Sequence, residues 1–235
     1  MQKTKLPAAT QSWPIGSSGD DKPLSRRAYE AIFAAIQGGQ LRPGSFVREI
    51  ELTEWLEMSR TPLRDALQRL EAEGLVHLKS HRGVQIARLD RQAIIELYTA
   101  RAWAEGAAAS LAARYASQAD IAQMRHILTL EDAAAGDPTL GARHNRSLHR
   151  AIYGCTHNRY LIDHLTALSA LLALAGNATR RNAVRVAEAQ REHTALVAAI
   201  EDGDPTRAEA CARAHIQAAQ HFVLANRASD EQDGY

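Results

Sequence analysis

From Asp90 onward the chain carries helix-forming sequence and little else. Its apolar stretches are rich in alanine and leucine and poor in β-branched runs. The interruptions fall in short clusters: Gly136-Asp137-Pro138, Gly154 to Asn158, Gly176-Asn177 and Gly203-Asp204-Pro205. Alanine and leucine are the cheapest residues to hold in a helix, whereas glycine and proline end one. Asp90 suits the N-cap of a long helix reaching to about 116, and further helices are expected over 118–134, 138–153, 158–175, 184–201 and 205–227. This half of the chain is therefore restricted to an all-α antiparallel bundle.

The preceding residues read differently. Leu24, Ala28, Ile32, Ala35 and Ile36 share one face of a helix over 24–38, which Gly38-Gly39 stops. The turn Leu41-Arg42-Pro43-Gly44 leads to a short helix over 49–57 anchored by Ile50, Leu52, Leu56 and Met58. A third helix, about 61–73, buries Leu63, Ala66, Leu67 and Leu70. Ser59 or Thr61 can cap it, Pro62 fits its first turn, and Gly74 ends it. Leu75–Leu78 and Val84–Ala87 look like two strands joined by a tip at Lys79-Ser80-His81-Arg82-Gly83. Helix, helix, helix, hairpin is the order of a winged helix-turn-helix. The expected fold is mainly α: residues 1–22 a flexible tail, 23–89 the winged helix-turn-helix, 90–228 a helical effector-binding and dimerisation domain, 229–235 a C-terminal tail. Trp13 has no role in this scheme.

Several classes are excluded at once. No apolar run is long enough to span a membrane, and no apolar segment follows Lys3 and Lys5 as a secretory signal requires. Cys155 and Cys211 make no disulfide framework and suit buried thiols in a reducing cytoplasm. The net charge of +1 is unevenly divided, with 11 Lys/Arg against 8 Asp/Glu in 22–89 and 15 against 17 in 90–235. An excess this small says less than where the arginines stand. The second helix of a helix-turn-helix enters the major groove by its N-terminal end, which here carries Ser59, Arg60, Thr61 and Arg64. Arg60 and Arg64, four apart, lie on one face. Each can fork onto guanine O6 and N7, a contact worth about 1–3 kcal/mol of discrimination. The hydroxyls and free N–H groups suit phosphate. Lys79, His81 and Arg82 at the tip could reach the backbone or minor groove.

The helical half holds eight of the ten histidines. His149 follows Asn145 by one turn. His193 stands eight residues before Glu201, and His215 eleven after Asp204. In an antiparallel hairpin, helical rises of about 12 Å and 16 Å bring these two imidazoles to similar heights. A third from the 138–153 helix would complete a set of nitrogens suited to zinc, nickel or another first-row metal. His144 points about 100° away from Asn145, and His126, His157, His164 and His221 read as surface residues. Glu192 adjoins His193 but leaves the helix on another face, and no His-Glu-x-x-His pair is present.

Leu41-Arg42-Pro43-Gly44, Ser59-Arg60-Thr61-Pro62-Leu63-Arg64-Asp65-Ala66-Leu67 and Leu70-Glu71-Ala72-Glu73-Gly74-Leu75-Val76 resemble the GntR family of bacterial transcription regulators. The resemblance implies base contacts for Arg60 and Arg64, a phosphate contact for Thr61, and Gly83 as the residue that lets the wing approach DNA. Some relatives carry another base-contacting arginine where this chain has Ile50. Arg48 is displaced by two residues and suits only the DNA backbone. Residues 90–228 resemble the FCD domain of the FadR subfamily through Glu96-Leu97-Tyr98-Thr99-Ala100-Arg101 with Glu105, Asn145-x-x-x-His149 with Asn158, Glu192-His193 with Ala199-Ile200-Glu201-Asp202-Gly203-Asp204, and His215. Many members bind a divalent metal at positions matching Asn145, His149, His193 and His215. Family members often have aspartate where Asn145 stands. The neutral amide leaves the metal's charge uncompensated, which weakens cation binding and favours an anionic effector. By the same resemblance Arg101 is the clamp on the effector's carboxylate. The competing reading of Arg101 is an ion pair with Glu105. Arg143, Arg146 and Asn177 are further candidates to line the pocket.

The expected function is that of a cytoplasmic bacterial regulator, more a repressor than an activator and not an enzyme. It would be a homodimer reading an inverted-repeat operator in double-stranded DNA, controlled by a small organic acid at a metal site. The alternative is a metal-dependent enzyme fused to a DNA-binding domain.

Overall fold

In the computed structural model the described residues are 22–80, 82–134, 136–175 and 182–232. The expected N-terminal tail up to residue 21, Trp13, His81, Asn177 and the last residues of the expected C-terminal tail lie outside them. The chain divides into two compact units. The break falls between Leu89 and Asp90, and the described residues from Ser169 to Ala175 belong with the first unit.

The first unit is built on α1 (Leu24–Gln37), β1 (Phe46–Val47), α2 (Glu49–Leu56), α3 (Arg60–Ala72), β2 (Val76–Lys79) and β3 (Gly83–Ile86). Ala28, Ala31, Ile32, Ala35 and Ile36 of α1 meet Leu63, Ala66, Leu67 and Leu70 of α3 in one core, completed by Leu52, Leu75, Val84 and Ile86. Truncating a fully buried leucine such as Leu67 costs about 2–5 kcal/mol. Two expected anchors lie elsewhere. Leu24 is 49% and Ile50 42% exposed, because each falls on the outward side of its helix while Ala28 and Leu52 take the inward one. The hairpin is joined by a third strand absent from the sequence reading. β1 pairs antiparallel with β3, giving the order β1-β3-β2. Two residues are too few for a period-two pattern to register. Gly83 explains how β1 reaches β3. Its φ is +89°, and a Cβ there would stand 2.6 Å from the Val47 carbonyl oxygen. Leu171, Ala173 and Leu174 pack on the same core, so the expected 158–175 helix ends its run within the first unit.

The second unit contains α4 (Arg91–Tyr115), α5 (Gln118–Ala133), α6 (Pro138–Gly154), most of α7 (Arg159–Leu171), α8 (Ala183–Glu201) and α9 (Pro205–Gln232); a 3₁₀ turn, Leu172–Ala175, follows α7. The starts follow the capping residues. Asp90 accepts from the Ala93 N–H, Ser117 from Asp120, Asp137 from Thr139 and Leu140, and Asn182 from Arg185. α9 continues past the expected end at 227. α4 and α9 lie close enough that a Cβ on Gly106 would meet Arg213 Cγ at 2.8 Å. Ala109, Ala112, Met124, Leu148, Leu196 and Ile200 form a core drawn from α4, α5, α6 and α8.

Candidate DNA interface and metal centre

The start of α3 is open to solvent. Ser59, Arg60, Thr61 and Arg64 are exposed, while Leu63, Ala66 and Leu67 hold the opposite face in the core. Ser59 occupies the N-cap position, but its hydroxyl makes no capping bond. Arg64 Nε stands 3.3 Å from Glu49 Oε2 with its side chain 65% exposed, a pair that water screens to little energy. A groove of about 510 Å³ lies beside the wing, lined by Arg48, Glu49, Ile50, Leu78, Lys79, Ser80, Arg82 and Gly83. Arg48 is engaged by Glu51 at 2.7 Å. Gly83 has a reason of its own in the β1–β3 contact, independent of any DNA.

In the second unit, α6, α8 and α9 bring His149, His193 and His215 together. One ring nitrogen of each lies within 4.8 Å of those of the other two. The rings are 4.5–5.5 Å apart between centroids, and all three residues are buried. His193 and His215 oppose their Nε2 atoms at 3.3 Å, and Asn145 Nδ2 is 3.5 Å from His193 Nε2. Three of the expected residues, His149, His193 and His215, are thus brought together, and Asn145 lies beside His193.

Carboxylates stand behind the imidazoles. His149 Nδ1 is 3.1 Å from Glu105, His193 Nδ1 2.9 Å from Glu131, and His215 Nδ1 2.6 Å from Glu192. Glu105 also accepts from Arg101 Nη2 and the Tyr153 hydroxyl, both at 2.6 Å. Glu192 accepts from both terminal nitrogens of Arg185. Burial alone would raise the Glu105 carboxyl, but His149, Arg101 and the donated hydrogen bonds outweigh it and hold it well below the usual range. Burial likewise opposes Glu192, and the bonds from His215 and Arg185 bring it down. An ionised carboxylate can only accept, so Glu105 and Glu192 each accept a hydrogen bond from the Nδ1 that faces them. Burial pushes His215 down to about 3, with His193 and His149 adding to that and Glu192 opposing it.

This arrangement fits a cation. His193 and His215 present Nε2 to each other at 3.3 Å, a spacing that a shared proton or a nearby cation accounts for. Oriented neutral imidazoles backed by carboxylates are the usual surroundings of a metal. A 3-His set suits zinc or nickel, with the Asn145 amide turned to offer its oxygen.

Glu192 leaves α8 on another face than His193, as expected, and that face meets His215 of α9. Glu131 was missed altogether, since its partner is far away in sequence. Arg101 makes the ion pair with Glu105, and its Nε is buried without a hydrogen-bond partner. Arg143, Arg146, His126, His157, His164 and His221 are exposed.

No helix among the described residues is long and apolar enough to cross a membrane. Residues 24–86 match the family described as bacterial regulatory proteins, gntR family, and residues 96–218 match the FCD domain. The "Probable D-xylose utilization operon transcriptional repressor" of Paenarthrobacter nicotinovorans is 30% identical over 83% of this chain and 86% of its own length. The "HTH-type transcriptional repressor GlaR" of Escherichia coli is 29% identical over 76% and 86%. Among solved structures, E. coli McbR/YncC superposes with a TM-score of 0.79 at 20% identity, covering 88% of this chain and 99% of its own, a likeness of fold. The chain belongs to the gntR family of bacterial regulatory proteins and carries an FCD domain: it is a DNA-binding transcription regulator.

Proposed function

We propose that this regulator is a homodimeric, metal-dependent sensor of a small organic acid, and that it acts as a repressor. The observation that carries this reading is the convergence of His149, His193 and His215 with a glutamate behind each Nδ1. Bound zinc or nickel would be held by the three imidazoles and the Asn145 oxygen. It would supply open coordination positions with a net positive charge, which a carboxylate fills. Arg101 supports the acid's second contact through its unpartnered Nε. Arg60 and Arg64 read bases, Ser59 and Thr61 take phosphate, and Arg82 with Gly83 carries the wing to the duplex. Two wings related by a dimer axis read an inverted repeat. Repression is supported by relatives that are named repressors.

The acid changes DNA affinity only as far as it binds two arrangements of the dimer differently. Selection from a library of random inverted repeats, repeated with and without candidate acids on zinc-loaded protein, tests this. The expected result is one enriched palindromic site whose shift an acid weakens. Enrichment of no site contradicts the operator reading, and a site indifferent to every acid and to metal removal contradicts the sensing one.

A further inference from the structure

α2 sets an acid beside the arginine read above as a base contact. Glu49 Oε2 accepts from Arg64 Nε at 3.3 Å. Among the described residues neither side chain makes another hydrogen bond, so both terminal nitrogens of Arg64 stay open. An acid in the first turn of a helix favours that helix by its charge alone. At the start of α2, however, Glu51 already serves that end, accepting from the Arg48 N–H at 2.9 Å and from the Arg48 side chain. A helix start does not account for the reach of Glu49 across to α3.

Glu49 also lines the groove beside the wing, among Arg48, Lys79 and Arg82. A negative charge on a surface that meets phosphates repels every duplex alike, whatever its sequence. What the carboxylate can supply in exchange is order. An arginine side chain is long and flexible, and fixing it opposes any contact it makes. A guanidinium held by Nε keeps its two terminal nitrogens in place, and these are the pair that forks onto guanine O6 and N7. In the free protein water screens the ion pair. A duplex docked on α3 displaces that water, and the attraction grows as the surroundings become less polar. Arg60, one turn earlier on the same face, has no such acid among the described residues.

We propose that Glu49 is a positioning residue for base reading: it holds Arg64 by Nε, raising sequence preference while lowering affinity for DNA at large. The inference rests on the reading of Arg64 as a base contact and adds what aims it.

The test uses the full-length chain and the duplex that wild type enriches from a library of random inverted repeats. Each guanine of a half-site is replaced in turn by 7-deazaguanine, which lacks the N7 acceptor. The guanine read by Arg64 is the one whose replacement weakens wild type but not Arg64→Ala. At that guanine the wild-type penalty is expected to be roughly fivefold. Glu49→Ala should lose most of that penalty and keep those at other guanines. For want of its charge it should also bind a scrambled duplex about twofold more tightly. Glu49→Gln keeps an oxygen for Arg64 Nε without the charge, so it should share the tighter scrambled-duplex binding yet retain the penalty. A folding defect would weaken both duplexes together. A penalty retained in Glu49→Ala, a penalty lost equally in Glu49→Gln, or scrambled-duplex binding that falls in both variants overturns the positioning inference and leaves Arg64 a base contact. An Arg64→Ala protein that keeps the penalty at every guanine, or a library that enriches no site, overturns the base reading and the inference with it.

Discussion

Glu105 shows how much one buried carboxylate can organise. It is 3% exposed and accepts from Arg101, Tyr153 and His149 together. Removing it leaves the Arg101 charge buried and unpaired, so Glu105→Ala should destabilise the protein by about 3–5 kcal/mol in chemical denaturation. A loss below about 1 kcal/mol would mean water reaches Arg101. Asn145→Asp should tighten metal binding by supplying a charged ligand; unchanged affinity in calorimetric titration would remove Asn145 from the shell. Acid should unfold the metal-free protein in two stages. His215 sits at about 3 in the fold against an ordinary 6.5, so the unfolded chain binds the extra proton first and stability falls once pH drops below about 6.5. Glu105 and Glu192 are held below their ordinary 4.5, so their contribution is present above that value and lost as pH falls beneath it. A melting temperature that stays flat from pH 7.5 to 4.5 in chelator-treated protein would contradict this. Helical rise put His193 and His215 at similar heights, and the resemblance to the FCD domain named His149 and Asn145 beside them. The carboxylates behind them were not legible: 62 residues separate His193 from Glu131, and a face angle on one helix does not tell which neighbouring helix it meets. The cue that was present, Arg101 four residues before Glu105, marked only one of the three.

At the scale of elements, α3 and the wing divide their labour. Leu63, Ala66, Leu67 and Leu70 hold α3 to the core, leaving Arg60, Thr61 and Arg64 outside. Arg64→Ala should remove sequence preference by about 1–3 kcal/mol in a competition shift assay while leaving stability nearly unchanged, because its contact with Glu49 is exposed. Retained selectivity would release Arg64 from base reading. Gly83→Ala should act on the fold itself, since the new methyl meets a carbonyl of β1 and φ is positive. The expected cost is about 1–3 kcal/mol of stability, seen as a lowered melting temperature without DNA. A normal melting temperature with impaired DNA binding would return the glycine to the interface. Helices were readable from the sequence because caps and breaks are local; Asp90, Ser117, Asp137 and Asn182 each sit one residue before a helix. β1 was not, since a two-residue strand exists only by virtue of the strand it pairs with.

On the scale of the whole molecule, the two units carry separate chemistry on one chain, DNA reading in the first and a charged histidine centre in the second. The segment from Ser169 crosses that division, its apolar side chains completing the first unit's core after α7 has begun in the second. Sequence periodicity placed a helix there but held no sign of which core it would serve, because alanine and leucine suit either. The sensing reading depends on the second unit taking up a metal at the imidazoles. Its most direct test is calorimetric titration of chelator-treated full-length protein with zinc or nickel, beside His193→Ala. The account predicts one equivalent per chain for wild type and loss of that binding in the variant. Wild type that takes up neither metal, or a variant that binds as wild type does, would contradict it.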